Sequence, residues 1–209
     1  MIDHKRWLKN LSKPNGLLEK LQRVSRELLL EKGIPTRSDE DWNLTNLNLL
    51  KSIFSLPISS TNSHDFSNKN EEWPVESKDA FRLIIDPAND PDQSITLPQG
   101  LRELDNDEIS TYIENHAIDS IYNSSFSEII NHASAKNILA LSVESNELPA
   151  IELIIKSKPG SFAPTKVLFI IKENTKIELL QVILGPDQTA HSHFLTMHLE
   201  NNSCVNHGL

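Results

Sequence analysis

From residue 138 onward the chain consists of short apolar runs with no helix-length segment between them, and this feature constrains the fold most. The runs are 138–143, 151–155, 167–171, 177–184 and 194–199. Their centres lie roughly 12 to 15 residues apart, a spacing typical of β-structure. Several runs are apolar at every position, which indicates burial on both faces. Two architectures fit: an antiparallel sandwich or barrel, and a β-solenoid in which successive runs stack.

The front of the chain is predicted to be helical. Residues 16–32 place leucines at three- and four-residue spacing with charged residues on the other side, which predicts an amphipathic helix. Gly33 and Pro35 should end this helix, because glycine tolerates the left-handed backbone of a helix C-terminus and proline prevents continuation. A shorter helix is expected before it, around residues 3–11.

A further helix start is predicted at Ser38 and Asp41. These residues are three apart, the spacing at which a hydroxyl and a carboxylate satisfy the first backbone N–H groups of a helix. The apolar residues that follow are then expected to cover the core; they are Trp42, Leu44, Leu47, Leu49 and Leu50.

The middle of the chain changes character twice. Residues 57–79 are rich in Ser, Asn and charged side chains and predict a polar linker or surface loop. A short strand is expected at 80–86, closed by Pro87 and Pro91. Residues 103–133 have a helical period and predict a helical interlude before the β runs begin.

The predicted fold class is therefore α+β, in three segments. These are an N-terminal helical region with its linker at 1–79, a mixed connecting region at 80–137 and a β core at 138–209. The β pattern continues to Leu209 without a capping element, and an uncapped solenoid exposes an open sheet edge. We therefore expect the chain to be the front part of a longer protein.

Charge and cysteine content exclude several classes of protein. A net charge of −9 opposes binding to nucleic acid or to an anionic membrane, because phosphate recognition needs clustered Lys and Arg. Most of the acidity lies in the middle of the chain, where we expect a solvated face, with a partner-docking surface as the alternative. No apolar run approaches the length of a membrane span. The single Cys204 excludes a disulfide framework and fits a reducing compartment, the cytoplasm or a plastid stroma.

The histidines near the end of the sequence are the strongest sign of an enzyme. His191 and His193 are two residues apart, so a strand would project both from one face, where they could hold zinc or iron if a carboxylate joined them, with His198 as a further candidate third ligand. Gly185 followed by this pair also matches the opening of the cupin metal motif. The match then fails, because Met197 and His198 occupy the positions where that motif has glutamate. Ordinary strand histidines are the alternative, with a cupin-type metal-dependent β-barrel enzyme as the competing function.

Other chemical signals are weak. Asp39, Glu40 and Asp41 are consecutive, so their carboxylates point in different directions and favour helix capping over acid–base chemistry. The sequence has no phosphate-binding glycine loop, no nucleophile elbow and no Cys-x-x-Cys pair. Cys204 has no neighbours that would lower its thiol pKa. These observations predict a protein without a catalytic site of its own.

Residues 33–45, GIPTRSDEDWNLT, resemble a family signature. The pattern G-[ILF]-P-T-[RK]-x-[DE]-E-[DE]-W-[KR]-[YF]-T is found near the start of SufD-type members of the SufB/SufD family of iron–sulfur cluster assembly proteins. The segment 126–133 is similar to the family's F-x-x-L-N-x-A, and weaker likeness extends over most of residues 16–209. The matching positions, which the resemblance implies to be structural, are Gly33, Pro35, Thr36, Arg37, Glu40, Trp42, Thr45 and Asn131.

The resemblance implies both a fold and a role. The fold is a helical N-terminal region followed by a right-handed parallel β-helix, of which 138–209 would be the first rungs. The role is that of a non-catalytic scaffold in the SufBCD complex, with SufB and SufC as partners and a homodimer as a further expectation. The complex handles the iron–sulfur cluster and SufC uses ATP, so no cofactor is expected on this chain. The family places SufC docking in a later C-terminal region, so no functional residue transfers to this sequence.

Overall fold

The computed structural model of the protein describes residues 4–59, 66–67, 80–85, 96–118 and 120–209. Its fold class is α+β, as the sequence predicts, with helices toward the front and two β-sheets. Most of the polar linker predicted at 57–79 lies outside the described residues. So do Pro87 and Pro91, the residues expected to close the first predicted strand.

Helices form where the apolar period predicts them. The α-helices of the described ranges are α1 (His4–Asn10), α2 (Glu19–Lys32), α3 (Leu47–Ser52), α4 (Asn106–Tyr112) and α5 (Phe126–Ser134). A 3-10 turn at Gly16–Leu18 leads into α2, so the helix predicted at 16–32 is confirmed, as is the shorter one before it. The interlude predicted at 103–133 is mostly helical, because a π-turn (Ile113–Ala117) and a 3-10 turn (Ser120–Asn123) lie between α4 and α5.

The capped helix start predicted at Ser38 and Asp41 is wrong. A 3-10 turn forms at Glu40–Trp42 instead, and no side chain caps it. The reason is local competition for hydrogen bonds: the Asp39 carboxylate accepts the backbone N–H of Thr36 at 2.6 Å and the Thr36 hydroxyl at 3.0 Å. Such side-chain bonds to nearby backbone stabilise a turn in place of a helix.

The next helix, α3, starts later and covers less of the core than predicted. Its cap is Asn46, whose side chain accepts the backbone N–H groups of Asn48 and Leu49. Leu44 is 97% exposed and Leu49 is 68% exposed, so their predicted core role is wrong. The other three apolar residues of this stretch are half-buried; they are Trp42, Leu47 and Leu50.

The strands build two open sheets. They are β1 (Phe66–Ser67), β2 (Phe81–Ile85), β3 (Leu101–Glu103), β4 (Leu139–Val143), β5 (Ile151–Lys156), β6 (Phe162–Ile171), β7 (Lys176–Leu184), β8 (Ala190–Leu199) and β9 (Cys204–Gly208). The helix-covered sheet has the order β3-β4-β6-β8, and the second sheet has the order β1-β2-β5-β7-β9. From β4 onward, consecutive strands therefore alternate between the two sheets.

Strand pairing overturns one of the two predicted architectures. β1 runs antiparallel to β2, and β3 to β4, but the other neighbouring pairs of both sheets are parallel. Within the described residues neither sheet closes on itself. The antiparallel sandwich or barrel is therefore wrong for these strands. Parallel neighbours need a crossover between them, and here each crossover contains a strand of the other sheet.

The parallel pairs from β4 onward share one register, whereas β2 pairs with β5 across 70 residues. Leu139 pairs with Val167 and Ile151 pairs with Leu179, each 28 residues further along. Phe162 pairs with Ala190 and Lys176 with Cys204, again 28 residues apart. Each pass of the chain through both sheets therefore uses the same number of residues, and equivalent positions of successive passes stack on each other.

Alternation along β6 separates two hydrophobic cores. Val167, Phe169 and Ile171 lie in the core between the two sheets, whereas Phe162 and Leu168 lie in the core beneath the helices. Side chains of a strand alternate between its faces, so each core takes every second residue. Burial of both sets explains why this run is apolar throughout. The molecule is thus layered as helices, helix-covered sheet and second sheet.

Asparagines form a ladder in the turns between the sheets. Asn146, Asn174 and Asn202 occupy equivalent positions, 28 residues apart in the sequence. The side-chain amide of Asn146 donates to the Asn174 carbonyl at 3.0 Å, and that of Asn202 donates to the Asn174 side-chain oxygen at 3.2 Å. Asn174 and Asn202 have φ values of 59° and 58°, the left-handed region that asparagine tolerates better than most residues.

Asn174→Val is expected to lower the free energy of unfolding by about 1–2 kcal/mol, because valine is strained at positive φ and removes the side-chain rung. Asn174→Gly is the control: it accepts the backbone conformation and loses only the side-chain bond. Urea unfolding of both variants tests this. Equal loss in both would show that the hydrogen bond, and not the backbone conformation, sets the requirement for asparagine.

Candidate functional site

The histidines singled out in the sequence do not converge. His191 and His193 share one face of β8, as predicted, and this is the face that carries Leu195 and Met197 into the core between the sheets. His198 lies on the other face, where its ring contacts Tyr112 and His116 at centroid distances of 5.9 and 5.2 Å. The proposed third ligand is therefore on the wrong side of the strand, because it is separated from the pair by an odd number of residues.

Each of these two histidines, His191 and His193, contacts a hydroxyl group. His191 Nε2 lies 2.9 Å from Ser157 Oγ, and His193 Nδ1 lies 2.7 Å from Thr165 Oγ1. Burial, reinforced by the positive charges of nearby His191, His207 and Lys166, lowers the pKa of His193 to about 4. Within the described ranges, no group of three or more His, Cys, Asp and Glu side chains is arranged to hold a metal ion.

The remaining sequence candidates lie apart from one another. His207 on β9 contacts Gln181 Oε1 at 3.2 Å, and Cys204 is an exposed thiol at the start of the same strand. Asp39, Glu40 and Asp41 are exposed in the turn before α3. The Asp39 carboxylate accepts the backbone N–H and the hydroxyl of Thr36, and this is a structural role.

The signature at residues 33–45 builds a compact turn against the helical layer. Gly33, with a φ of 72°, ends α2 and donates its backbone N–H to the Leu29 carbonyl. The Trp42 ring packs edge-on against Phe126, the first residue of α5, at a centroid distance of 5.6 Å. Thr45 donates its backbone N–H to the Trp42 carbonyl at 3.1 Å. Three further signature positions are exposed: Thr36, Arg37 and Glu40.

Asn131 joins the helical layer to two strands. Its side-chain amide donates to the carbonyl of Thr165 on β6 at 3.0 Å and to the carbonyl of Ser192 on β8 at 2.6 Å. Asn131 is almost fully buried. Because these bonds fix where α5 sits on the helix-covered sheet, the position that matches the family pattern has a clear structural role.

The most unusual chemical group of the described chain is a buried amine next to Asn131. Lys166 on β6 faces the helices, and only 6% of its surface is exposed. Its Nζ lies 2.7 Å from Nδ1 of His132 on α5 and 4.1 Å from the centre of the Phe194 ring on β8. Among the described residues, no carboxylate lies within ion-pair distance of this nitrogen. Lysine is almost never fully buried without a charged partner.

The surroundings of this amine favour its neutral form. Burial lowers the pKa of Lys166 to about 7, and the Glu128 carboxylate opposes this shift only partly. Burial and the charge of Lys166 together lower the pKa of His132 to about 3. His132 is therefore neutral at pH 7, and while Lys166 is charged its ammonium donates to His132 Nδ1, because an ammonium group has no lone pair with which to accept. Near neutral pH the amine exists in comparable amounts of the charged and uncharged forms.

A cavity of about 330 Å³ lies against Lys166. It is bounded by α4, the turns that follow it, α5 and the helix-covered sheet. Its apolar wall includes Phe194 and Leu168, and its polar wall includes Ser120, Asn123 and Thr196. This volume is at the lower end of the range for small-molecule sites, which are concave, largely apolar and supplied with a few polar groups.

Sequence reasoning missed this site, although a signal for it exists. Within β6 the positions that face the helices are apolar on either side of Lys166, since Phe162 and Leu168 both lie in the core beneath the helices. A lysine in such a row is predicted to be buried. What the sequence alone does not provide is His132, which comes from a helix 34 residues earlier and meets the lysine only in the folded chain.

No model of a known protein family matches this chain, and no curated protein matches it. None of the helices in the described ranges combines the length and apolar character that a membrane span requires.

Proposed function

We propose that this chain is a SufD-like, non-catalytic scaffold subunit of an iron–sulfur cluster assembly complex, and that β4 to β9 are the first rungs of a right-handed parallel β-helix. The observation that carries the proposal is the constant 28-residue register. Four successive strand pairs repeat it, β4–β6, β5–β7, β6–β8 and β7–β9. Stacked repeats with one fixed register are characteristic of solenoids, which present long rigid faces to partners.

The signature region supports the same assignment. Residues 33–45 form a defined element, in which Gly33 ends a helix and Trp42 packs on Phe126. Asn131, the conspicuous position of the second family segment, links α5 to two strands. These sequence positions, on which the resemblance depends, therefore have structural roles. This fits a signature that specifies architecture and not catalysis.

Open strand edges supply a mode of partner contact. β8 and β9 are the last strands in the order of their sheets, and their outer edges have no partner among the described strands. Backbone N–H and C=O groups on such an edge can pair with an added strand. In the proposed complex SufB pairs with these edges, while SufC supplies ATP hydrolysis.

The test is co-purification. The product of the complete gene, co-expressed with tagged SufB and SufC from the same genome, is expected to be retained with both proteins after extensive washing. Residues 1–209 alone are expected not to retain SufC, because the docking region implied by the family lies further on. Lys166→Met is the matched control in both forms, since that residue lies under the helices and away from the strand edges.

Two results would contradict the proposal. If the product of the complete gene binds neither SufB nor SufC, the scaffold role is wrong. Retention of SufC by residues 1–209 alone would show that the docking region has been misplaced. Because Lys166→Met changes only the buried amine, it separates a loss of binding to SufB and SufC from any effect of that amine.

A further inference from the structure

The Lys166 amine is held in an unusual state by its contacts. Its three N–H positions meet one hydrogen-bond acceptor, His132 Nδ1, and one aromatic face, that of Phe194, among the described residues. An ammonium group that is removed from water normally needs a carboxylate or several acceptors. The amine therefore lacks the counter-ion that would fix it as a charged structural group.

The contacts also favour a reactive geometry. The 2.7 Å contact with His132 Nδ1 holds the nitrogen in place, so His132 is a positioning residue. In the His132 tautomer that carries its proton on Nε2, Nδ1 accepts an N–H of the uncharged amine and leaves the nitrogen lone pair free to react. Lysine that is desolvated in an apolar pocket is the usual nucleophile for carbonyl compounds, because only the uncharged amine has a free lone pair.

The cavity determines which carbonyl compound fits. Lys166 and Phe194 belong to its wall together with Tyr112, so that an aromatic or aliphatic group would meet apolar surface. Glu128 is also part of the wall and disfavours an anionic ligand. Ser120, Asn123 and Thr196 supply polar atoms suited to a hydroxyl or carbonyl oxygen. A small, uncharged aldehyde satisfies these conditions.

We propose that Lys166 is a covalent binding site for small, uncharged aldehydes, which enter the cavity beside α5 and form an imine with Nζ. The nitrogen lone pair attacks the carbonyl carbon, and the C=O π electrons move to oxygen. One proton passes from nitrogen to that oxygen and gives a carbinolamine. The C–O bond then breaks, the second nitrogen proton leaves with the oxygen as water, and the C=N bond forms. No oxidant, reductant or metal is needed.

The experiment is reductive trapping with benzaldehyde and cyanoborohydride on the folded chain at pH 7, followed by peptide mass spectrometry. Lys166 is expected to be benzylated at least tenfold faster than the exposed Lys136. Formation of the imine at Lys166 should no longer speed up above about pH 8, where this amine is already uncharged. Lys166→Met should lose this one modification and keep the others.

A cavity-filling variant separates the site from the amine itself. Thr196→Phe, on the cavity wall, is expected to slow labelling of Lys166 at least tenfold and to leave Lys136 unchanged. In the unfolded chain the two lysines should react at equal rates. Slower labelling of Lys166 than of Lys136 in the folded protein would overturn the proposal and leave the lysine as a buried structural group. Unchanged labelling in Thr196→Phe would overturn the assignment of this cavity.

Discussion

Lys166→Met is expected to raise the free energy of unfolding at pH 6 to 7 by about 1–3 kcal/mol. Methionine has similar length and no charge to desolvate, and apolar replacements of buried charges are often stabilising. The gain is limited by His132, because its Nδ1 loses the N–H that it accepts from Lys166. A stabilising substitution at a fully buried position marks a residue that the fold does not require.

The pH dependence gives a second test of this prediction. The pKa of Lys166 is lowered to about 7, so between pH 7 and the ordinary lysine pKa the unfolded chain binds more protons than the folded one. Stability of the original protein should therefore gain from this residue as pH rises through that window, and the cost of burial is fully present below it. Lys166→Met should lack this contribution. Urea unfolding of both proteins at pH 6.5 and pH 9.5 measures it.

Lys166→Arg is the matched control. Arginine keeps its charge across this pH range, and burial of that charge without a carboxylate partner is costly, so we expect a loss of stability at both pH values. If Lys166→Met were less stable than the original and had the same pH dependence, the amine would be a fully compensated structural group.

Phe169→Ala is expected to lower the free energy of unfolding by about 3–5 kcal/mol, the largest loss predicted for a single substitution. Phe169 is 1% exposed and lies at the centre of the core between the sheets. It pairs with Leu141 of β4 and Met197 of β8, so its ring fills space in three consecutive passes of the chain. Such a site cannot collapse locally, because the strands on both sides are fixed in register.

Phe169→Leu serves as the comparison and is expected to cost about 1–2 kcal/mol, since most of the apolar volume remains. The urea midpoints of the two variants, with an unchanged slope, measure the difference. A loss of less than about 1 kcal/mol for Phe169→Ala would mean that the two sheets close around the cavity and that the core is far less rigid than the register implies.

The β-strands could be predicted because burial on both faces leaves a local mark. The run around Phe169 is apolar at almost every position, since its residues enter one core or the other. The β pattern was expected to continue to Leu209, but no apolar run marks β9, because Cys204, Asn206 and His207 interrupt it although backbone pairing with β7 holds them in a strand. Whether a segment pairs as a strand depends on its neighbour in the sheet, and the sequence of the segment alone does not show this.

The choice between sandwich and solenoid could not be made from strand spacing. A spacing of about 14 residues between runs is half of the 28-residue register, and half a period does not distinguish parallel from antiparallel neighbours. The turns show the full 28-residue period, because Asn146, Asn174 and Asn202 recur in them at equivalent positions. Comparison of turns, and not of strands, would have favoured the stacked arrangement.

The functional predictions divide in the same way. The shared face of His191 and His193 follows from strand alternation and is correct, whereas a site that joins His198 to them is not. The helix cap at Ser38 failed because the Asp39 carboxylate binds the backbone N–H of Thr36 and stabilises a turn at that position. The contact between Lys166 and His132 depends on how a helix docks on a sheet, and no local pattern encodes it.

The fixed register also sets how such a protein can change its length. Adding or removing one residue within a strand would move the following side chains of that strand to the opposite face and place core side chains in solvent. Adding a whole pass of 28 residues would leave all existing neighbours unchanged and widen each sheet by one strand, about 4.8 Å. Duplication of whole passes in the gene can therefore change the distance between the two ends of the stack only in multiples of one strand width.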